Sequence, residues 1–231
     1  MELLADLIQE QEHVYSNKIQ KRQAGDTSVT DRNIFFVVDS SGSIQPANYT
    51  RILNVLANFS ELLCGDVAIG MFTFSRHIEL EFCPTCFSTN DYQTYINEVT
   101  TRIKSARYHQ SVTYTGEMAK CLRQHVLPSP DCRLLDKKTQ IVFFTDGRAN
   151  GCTDVPPVIA ELEAAYPNLE VYAIGMGNIL QSGILDLLTV NYDPNNIFNV
   201  QNITELEGLY DLILQAIQVG QIQCSPVSFG K

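Results

Sequence analysis

Four short segments of the chain are almost continuously apolar, and they constrain the fold more than any other feature of the sequence. Strands that are buried on both faces have this composition, because neither face of such a strand meets water. Segments with helical spacing of apolar residues lie between them. This alternation predicts an α/β fold with a doubly wound, mostly parallel central sheet that helices cover on both faces. The apolar segments are Ile34 to Val38, Val67 to Phe74, Ile141 to Thr145 and Leu169 to Ile174.

Five segments have the apolar stripes or the capping residues of helices. Stripes with a spacing of three to four residues begin at Ile52, Tyr92 and Met118. A fourth helix is expected to begin near Thr153-Asp154, whose cap-type side chains precede two prolines. A capping box opens the fifth helix, which is predicted from Thr204 to Gly220.

The chain length and the position of these elements predict a single domain. A single core can grow to roughly 250 residues before chains usually split, and this chain has 231. We expect residues 1 to 32 to form an N-terminal tail, residues 33 to 220 the domain, and residues 221 to 231 a C-terminal tail. Ile78 to Phe82 follows the second strand closely and is predicted to be an antiparallel strand at an edge of the sheet.

The charge of the chain limits its partners. It has 26 acidic against 16 basic residues, a net charge of −10, whereas proteins that bind nucleic acid through the phosphate backbone carry basic surfaces. We therefore expect no nucleic acid partner, and a cation or a basic partner fits better. No apolar run approaches the roughly 20 residues that a membrane-spanning helix needs, so membrane insertion is not expected.

Cysteines and glycosylation motifs favour an extracellular protein. Seven cysteines are many for a reducing cytosol, and we expect oxidised pairs. Cys83 to Cys86 is the one CxxC motif, and no second pair of ligands completes a structural zinc site. Glycosylation acceptor triplets begin at Asn48, Asn58 and Asn202.

The first residues argue the other way, because MELLADLIQEQEH lacks the basic and apolar regions of a secretory signal. Three interpretations follow: a fragment of a longer secreted protein, a wrongly placed start, or an intracellular protein with reduced cysteines. The fragment is favoured, since an odd number of cysteines indicates a partner outside the chain.

The first apolar segment ends in Asp39-Ser40-Ser41-Gly42-Ser43. If the chain turns sharply there, the side chains of Asp39, Ser41 and Ser43 converge and present one carboxylate and two hydroxyls, with Gly42 supplying backbone freedom. A phosphate-binding loop would need a lysine and a glycine spacing that are absent. A phosphotransferase with an aspartyl nucleophile would need a second acid where Ser41 stands, so it is a weak alternative. Hydroxyl and carboxylate oxygens suit Mg²⁺.

Two further polar elements are expected at the same edge of the sheet. The third apolar segment ends in Thr145-Asp146-Gly147, and Thr113-Tyr114-Thr115-Gly116 opens the third helix. Each element alone could be a turn or a helix cap. The three together, in this order, favour one cation site at the carboxyl ends of the strands.

This combined pattern resembles the three-part metal-ion-dependent adhesion site of von Willebrand factor type A domains, the module shared with integrin inserted domains, matrilins and complement-type proteins. The resemblance covers about residues 32 to 220 and implies a Rossmann-like fold. It implies that Ser41 and Ser43 bind Mg²⁺ or Mn²⁺ through their hydroxyls and that Thr113 does so directly or through water. Asp39 and Asp146 would act mainly through waters. Ser111 and Val112 depart from the family, which often has glycines before the threonine.

The resemblance implies a cation-dependent protein-binding module for adhesion or matrix interaction, in which a Glu or Asp of a protein ligand, such as collagen or another matrix protein, completes the cation's shell. It also suggests that binding moves the last helix. No Ser-His-Asp or Cys-His arrangement accompanies the site, so an enzyme is not expected. A structural matrix building block with an incidental metal site and an intracellular adaptor are the alternatives.

Overall fold

A computed structural model of the chain describes residues 32–62, 67–84, 92–132, 134, 138–150, 155–167, 169–176, 188 and 196–200. Within these residues, six strands and four helices alternate as the apolar pattern predicts. The strands are β1 (Arg32–Asp39), β2 (Val67–Phe74), β3 (Ile78–Phe82), β4 (Lys138–Thr145), β5 (Leu169–Met176) and β6 (Ile197–Val200). The helices are α1 (Pro46–Leu62), α2 (Tyr92–Ser105), α3 (Thr115–Cys121), which continues into a π-helical turn (Leu122–Val126), and α4 (Val155–Ala165).

The strands form one sheet in the order β3-β2-β1-β4-β5-β6. β1 pairs in parallel with both β2 and β4, and β5 pairs in parallel with β4 and β6. β3 pairs antiparallel with β2 at one edge. The predicted fold class is therefore confirmed, including the antiparallel edge strand. β1 and β4 lie next to each other at the centre, so their carboxyl ends meet at one edge of the sheet.

The core lies on both faces of the sheet, which explains why the strand segments are almost continuously apolar. Successive side chains of a strand point to opposite faces. Phe36 and Val38 accordingly pack in a cluster with residues of α1 and α2. Phe35 and Val37 pack in a second cluster with residues of α3 and α4.

Helix α2 begins at Tyr92, the first residue of the predicted stripe, and α4 begins at Val155, directly after the expected start at Thr153-Asp154. Sequence reasoning missed β6, whose four residues are too short to show a pattern. The predicted tails, the last helix from Thr204 to Gly220 and the acceptor at Asn202 lie outside the described residues.

One disulfide links Cys83, directly after β3, to Cys132, after the π-helical turn. Both residues are buried against the second core cluster. Among the described residues Cys121 is the free cysteine, and it is partly buried. No helix in the described part of the chain is long and apolar enough to cross a membrane.

Candidate cation site

The carboxylate of Asp39 is held between two polar groups at the end of β1. Thr145, at the end of the neighbouring strand β4, donates a hydrogen bond from its hydroxyl to Asp39 Oδ2 at 2.8 Å. The amide of Ser41 donates to Asp39 Oδ1 at 2.8 Å, which closes a tight turn directly after the strand. Both oxygens of the buried carboxylate are thereby fixed in direction.

The turn after β1 brings the two predicted serines together. The hydroxyl oxygens of Ser41 and Ser43 lie 3.0 Å apart. Ser41 is buried and Ser43 is partly exposed, so the second of the two serines is the one nearer to solvent. The convergence predicted for Asp39, Ser41 and Ser43 is what the structure shows.

The loop between α2 and α3 is hydrogen-bonded to this turn. The amide of Gly42 donates to the carbonyl of Ser111 at 2.8 Å, and the amide of Gln110 donates to the carbonyl of Ser40 at 3.0 Å. Ser41 and Ser111 form an isolated parallel β-bridge. The polar turn and the threonine-bearing loop are therefore one backbone unit.

Thr113 lies in that loop, two residues before the first residue of α3, and it is 3% exposed. Its carbonyl accepts a hydrogen bond from the amide of Asn150 at 2.8 Å. The next amide, that of Tyr114, donates to the carbonyl of Ser75 at 3.2 Å. These bonds connect the threonine loop to the loop after β4 and to the turn after β2.

Asp146 is the first residue after β4, and its side chain is 12% exposed. The amide of Arg148 donates to Asp146 Oδ1 at 3.1 Å. Gly147, with a φ of 71°, lies in the left-handed region and turns the chain back, and its amide donates to the Thr145 hydroxyl at 3.1 Å. The strand end thus presents a carboxylate beside the buried Asp39.

Electrostatics at Asp39 indicate which kind of group the site suits. Burial raises the pKa of Asp39 to about 7; hydrogen bonds from Ser41 and Thr145 lower it only in part, and the charge of Asp146 raises it further. A cation beside the two carboxylates would remove this penalty, because an opposite charge stabilises the ionised form. The residues therefore fit a divalent cation.

The donor set is made of hydroxyl and carboxylate oxygens, which suits a hard cation such as Mg²⁺ or Mn²⁺. Asp39, Ser41 and Ser43 are linked directly by side-chain or backbone contacts. Thr113 and Asp146 are brought to the same edge through the backbone bonds of their loops. The assignment of these five residues as cation-binding groups stays a prediction.

Sequence reasoning missed the residues that hold the loops together. Ser40 is buried and donates from its hydroxyl to the carbonyl of Phe74 at 3.1 Å. Ser111, read as a departure from the family pattern, forms the bridge to Ser41. The freedom expected of Gly42 is not used: it is not among the positive-φ residues, and a Cβ there would meet nothing closer than 3.7 Å. A positive φ occurs instead at Gln45.

The model of the von Willebrand factor type A domain family matches residues 33–212. The match covers most of the chain, and the chain belongs to this family.

Several curated proteins are similar to the chain over most of its length. It is 25% identical to human collagen alpha-6(VI) chain over 197 residues, which are 84% of this chain and 8% of that one. It is 25% identical to bovine vitrin, with 83% of this chain and 27% of vitrin covered. Mouse integrin alpha-X is 24% identical, with 81% and 16% covered. The chain therefore spans about a quarter or less of the length of these relatives.

Solved structures support the same fold. Proximal thread matrix protein 1 from the mussel byssus has a TM-score of 0.67 and 18% identity, with 81% of this chain and 47% of that chain covered. Another structure of that mussel protein, described as having a zinc-occupied MIDAS motif, has a TM-score of 0.64 and 20% identity, with coverage of 81% and 48%. Because these sequence identities are low, the similarity to the mussel protein shows a shared fold and nothing further.

Proposed function

We propose that this domain is a divalent-cation-dependent protein-binding module that takes an acidic group of a protein ligand at a metal-ion-dependent adhesion site. The observation that carries the proposal is the buried carboxylate of Asp39, fixed by Ser41 and Thr145 beside a second carboxylate. A position of this kind is costly without a cation. Ser41, Ser43 and Thr113 would hold Mg²⁺ or Mn²⁺ together with Asp39 and Asp146.

The charges of the five site residues indicate which kind of ligand group the cation would bind. Two carboxylates balance a divalent cation, and the other three groups are neutral hydroxyls. The bound cation would supply an electrophilic position with room for one further carboxylate. Ser43 and Asp146 are both partly exposed, so the site opens to solvent where a partner's Glu or Asp would enter.

We propose no catalytic activity for the domain. Asp39 accepts two hydrogen bonds and lies within the cation site, so it is not positioned as a free general base. His109, in the adjacent loop, pairs with Glu79 at 3.2 Å and not with a nucleophile. Binding is the function that this geometry supports best.

The extracellular setting is also a proposal. Collagen VI chains, vitrin and an integrin chain among the relatives favour an adhesion or matrix-interaction module, with a matrix protein as partner. The disulfide between Cys83 and Cys132 favours an oxidising compartment. Asn58 is exposed on α1 and Asn48 is partly exposed, and both are proposed as glycosylation acceptors.

The open coordination position can be tested with Mn²⁺ in place of Mg²⁺. Water proton relaxation is enhanced by protein-bound Mn²⁺ that keeps exchanging waters. We expect enhancement with the native domain, and a decrease when N-acetylglutamate α-amide is added but not when N-acetylglutamine α-amide, which has no carboxylate, is added. The Ser41→Ala/Ser43→Ala variant should show no enhancement. Equal responses to the two amino acid derivatives would refute carboxylate binding at the cation.

A structural matrix building block is the second candidate, and the disulfide favours it. Self-association measured with and without a chelator distinguishes the two functions. If self-association measured by sedimentation is unchanged by EDTA while the carboxylate response above is absent, the building block replaces the adhesion module.

A further inference from the structure

The described loops around the cation site carry more positive than negative charge, although the whole chain has a net charge of −10. Arg76 lies in the turn after β2, Arg107 in the loop after α2, and Arg148 in the loop after β4, and all three are exposed. Asp146 is the single acidic residue within these described loops, residues 40–45, 75–77, 106–114 and 146–150. The three arginines are called the arginine rim below.

Hydrogen bonds hold the backbone of each arginine next to the site. The turn that carries Arg76 contacts the threonine loop, because the Tyr114 amide donates to the carbonyl of Ser75 at 3.2 Å. The hydroxyl of Tyr108, the residue after Arg107, donates to the carbonyl of Gly42 in the turn after β1 at 3.4 Å. The amide of Arg148 donates to the carboxylate of Asp146 at 3.1 Å. The rim therefore belongs to the same backbone unit as the site.

Among the described residues, ion pairs engage at most one of the three rim arginines. In the part of the chain that the structure describes, Arg76 and Arg107 make no ion pair, and Arg148 Nε lies 3.8 Å from the Asp146 carboxylate with its side chain 80% exposed. At the opposite end of the sheet, by contrast, Lys138 pairs with a glutamate at 2.9 Å. The rim offers its positive charge to solvent or to a ligand.

Resting on the proposed function, we infer that the ligand is an acidic protein segment that carries several carboxylates. One carboxylate takes the position at the cation, and its acidic neighbours lie against Arg76, Arg107 and Arg148. Because Asp39 and Asp146 balance the charge of the cation, the three arginines of the rim remain as excess positive charge on this face. Charges act over about 8 Å at physiological salt, so residues next to the cation-bound acid are within reach of the rim.

Two peptides test this inference, and each is labelled for fluorescence anisotropy. Both peptides end in a C-terminal amide, so that Gly-Gly-Gly-Glu-Gly-Gly-Gly carries one acid and Gly-Asp-Gly-Glu-Gly-Asp-Gly carries three. We expect the native domain with Mg²⁺ to bind the second peptide about tenfold more tightly, since each exposed charge pair contributes about threefold. In the Arg76→Gln/Arg107→Gln/Arg148→Gln variant this ratio should fall below about twofold. The ratio is internal to each protein, so partial unfolding or partial cation loading does not alter it.

Lys138→Gln is the matched control, because it removes one positive charge at the start of β4, about 23 Å from Thr145 at 3.3 Å per residue. This variant should keep the native ratio. A native ratio near one, or a ratio that the triple variant retains, would overturn the inference. Tighter binding of a heparin-derived oligosaccharide than of the triacidic peptide, lost in the triple variant, would replace the acidic peptide with a sulfated polysaccharide.

Repeating the titrations in EDTA separates this inference from the function on which it rests. If the one-acid peptide binds equally with and without Mg²⁺, the proposed cation-dependent function fails. The ratio of the affinities for the two peptides, and its decrease in the triple variant, then still show whether the rim selects acidic segments.

Discussion

Replacing Thr145 with valine removes the hydroxyl at the centre of the site while keeping the shape of the side chain. Two hydrogen bonds disappear: the bond to Asp39 Oδ2 at 2.8 Å and the bond from the Gly147 amide at 3.1 Å. A bond to a charged group contributes about 1.5 to 3 kcal/mol and a neutral bond about 0.5 to 1.5 kcal/mol. We therefore expect the free energy of unfolding of the metal-free domain to fall by about 2 to 4 kcal/mol.

Urea unfolding in EDTA at about pH 8.5, where Asp39 is ionised because its pKa is about 7, measures this change by circular dichroism. The melting temperature should fall by roughly 4 to 16 °C. Thr50→Val is the matched control, because its hydroxyl donates to the carbonyl of Pro46 on the exposed surface of α1. Its effect should stay within about 0.5 kcal/mol. If Thr145→Val is as stable as the control, Asp39 is not held as a charged, hydrogen-bonded group, and the argument for the cation site loses its basis.

Two further predictions concern stability. In Gly70→Ala the new Cβ would lie 2.6 Å from the ring of Phe35. We therefore expect the free energy of unfolding in urea to fall by about 1 to 3 kcal/mol, whereas Gly42→Ala should leave it unchanged. Equal values for the two variants would contradict the packing. Replacing Cys83 and Cys132 together with alanine opens a loop with a sequence separation of 49 and should cost about 4 kcal/mol by loop entropy; an unchanged urea midpoint would show that the native pair is not oxidised.

The sheet could be predicted because burial on both faces leaves a strong signal in the strands. Ile34 to Val38 and its three counterparts are almost continuously apolar, and the structure places each of them within a strand of the sheet. β6 gave no such signal, because Asn199 is exposed and only two of its four residues are fully buried. The structure places β6 in the sheet by its parallel pairing with β5.

The side chains at the candidate site could be predicted from residue type and strand order, since Asp39 and Asp146 follow neighbouring strands. The contacts that fix their geometry could not. The bridge between Ser41 and Ser111 joins residues that are 70 positions apart in the chain (111 minus 41). Because its hydrogen bonds are made by the backbone, the side chains at these positions give no signal of the contact. The pairing of Cys83 with Cys132 was likewise open in the sequence, because spacing alone does not fix connectivity.

The central claim is that Asp39, Ser41, Ser43, Thr113 and Asp146 form a site for one divalent cation. Isothermal titration of Mg²⁺ and Mn²⁺ into the metal-free domain, beside the Ser41→Ala/Ser43→Ala variant, tests it most directly. We expect the native domain to bind one equivalent of cation and the variant to bind none. Absence of cation binding to the native domain, or equal binding to both proteins, would contradict it.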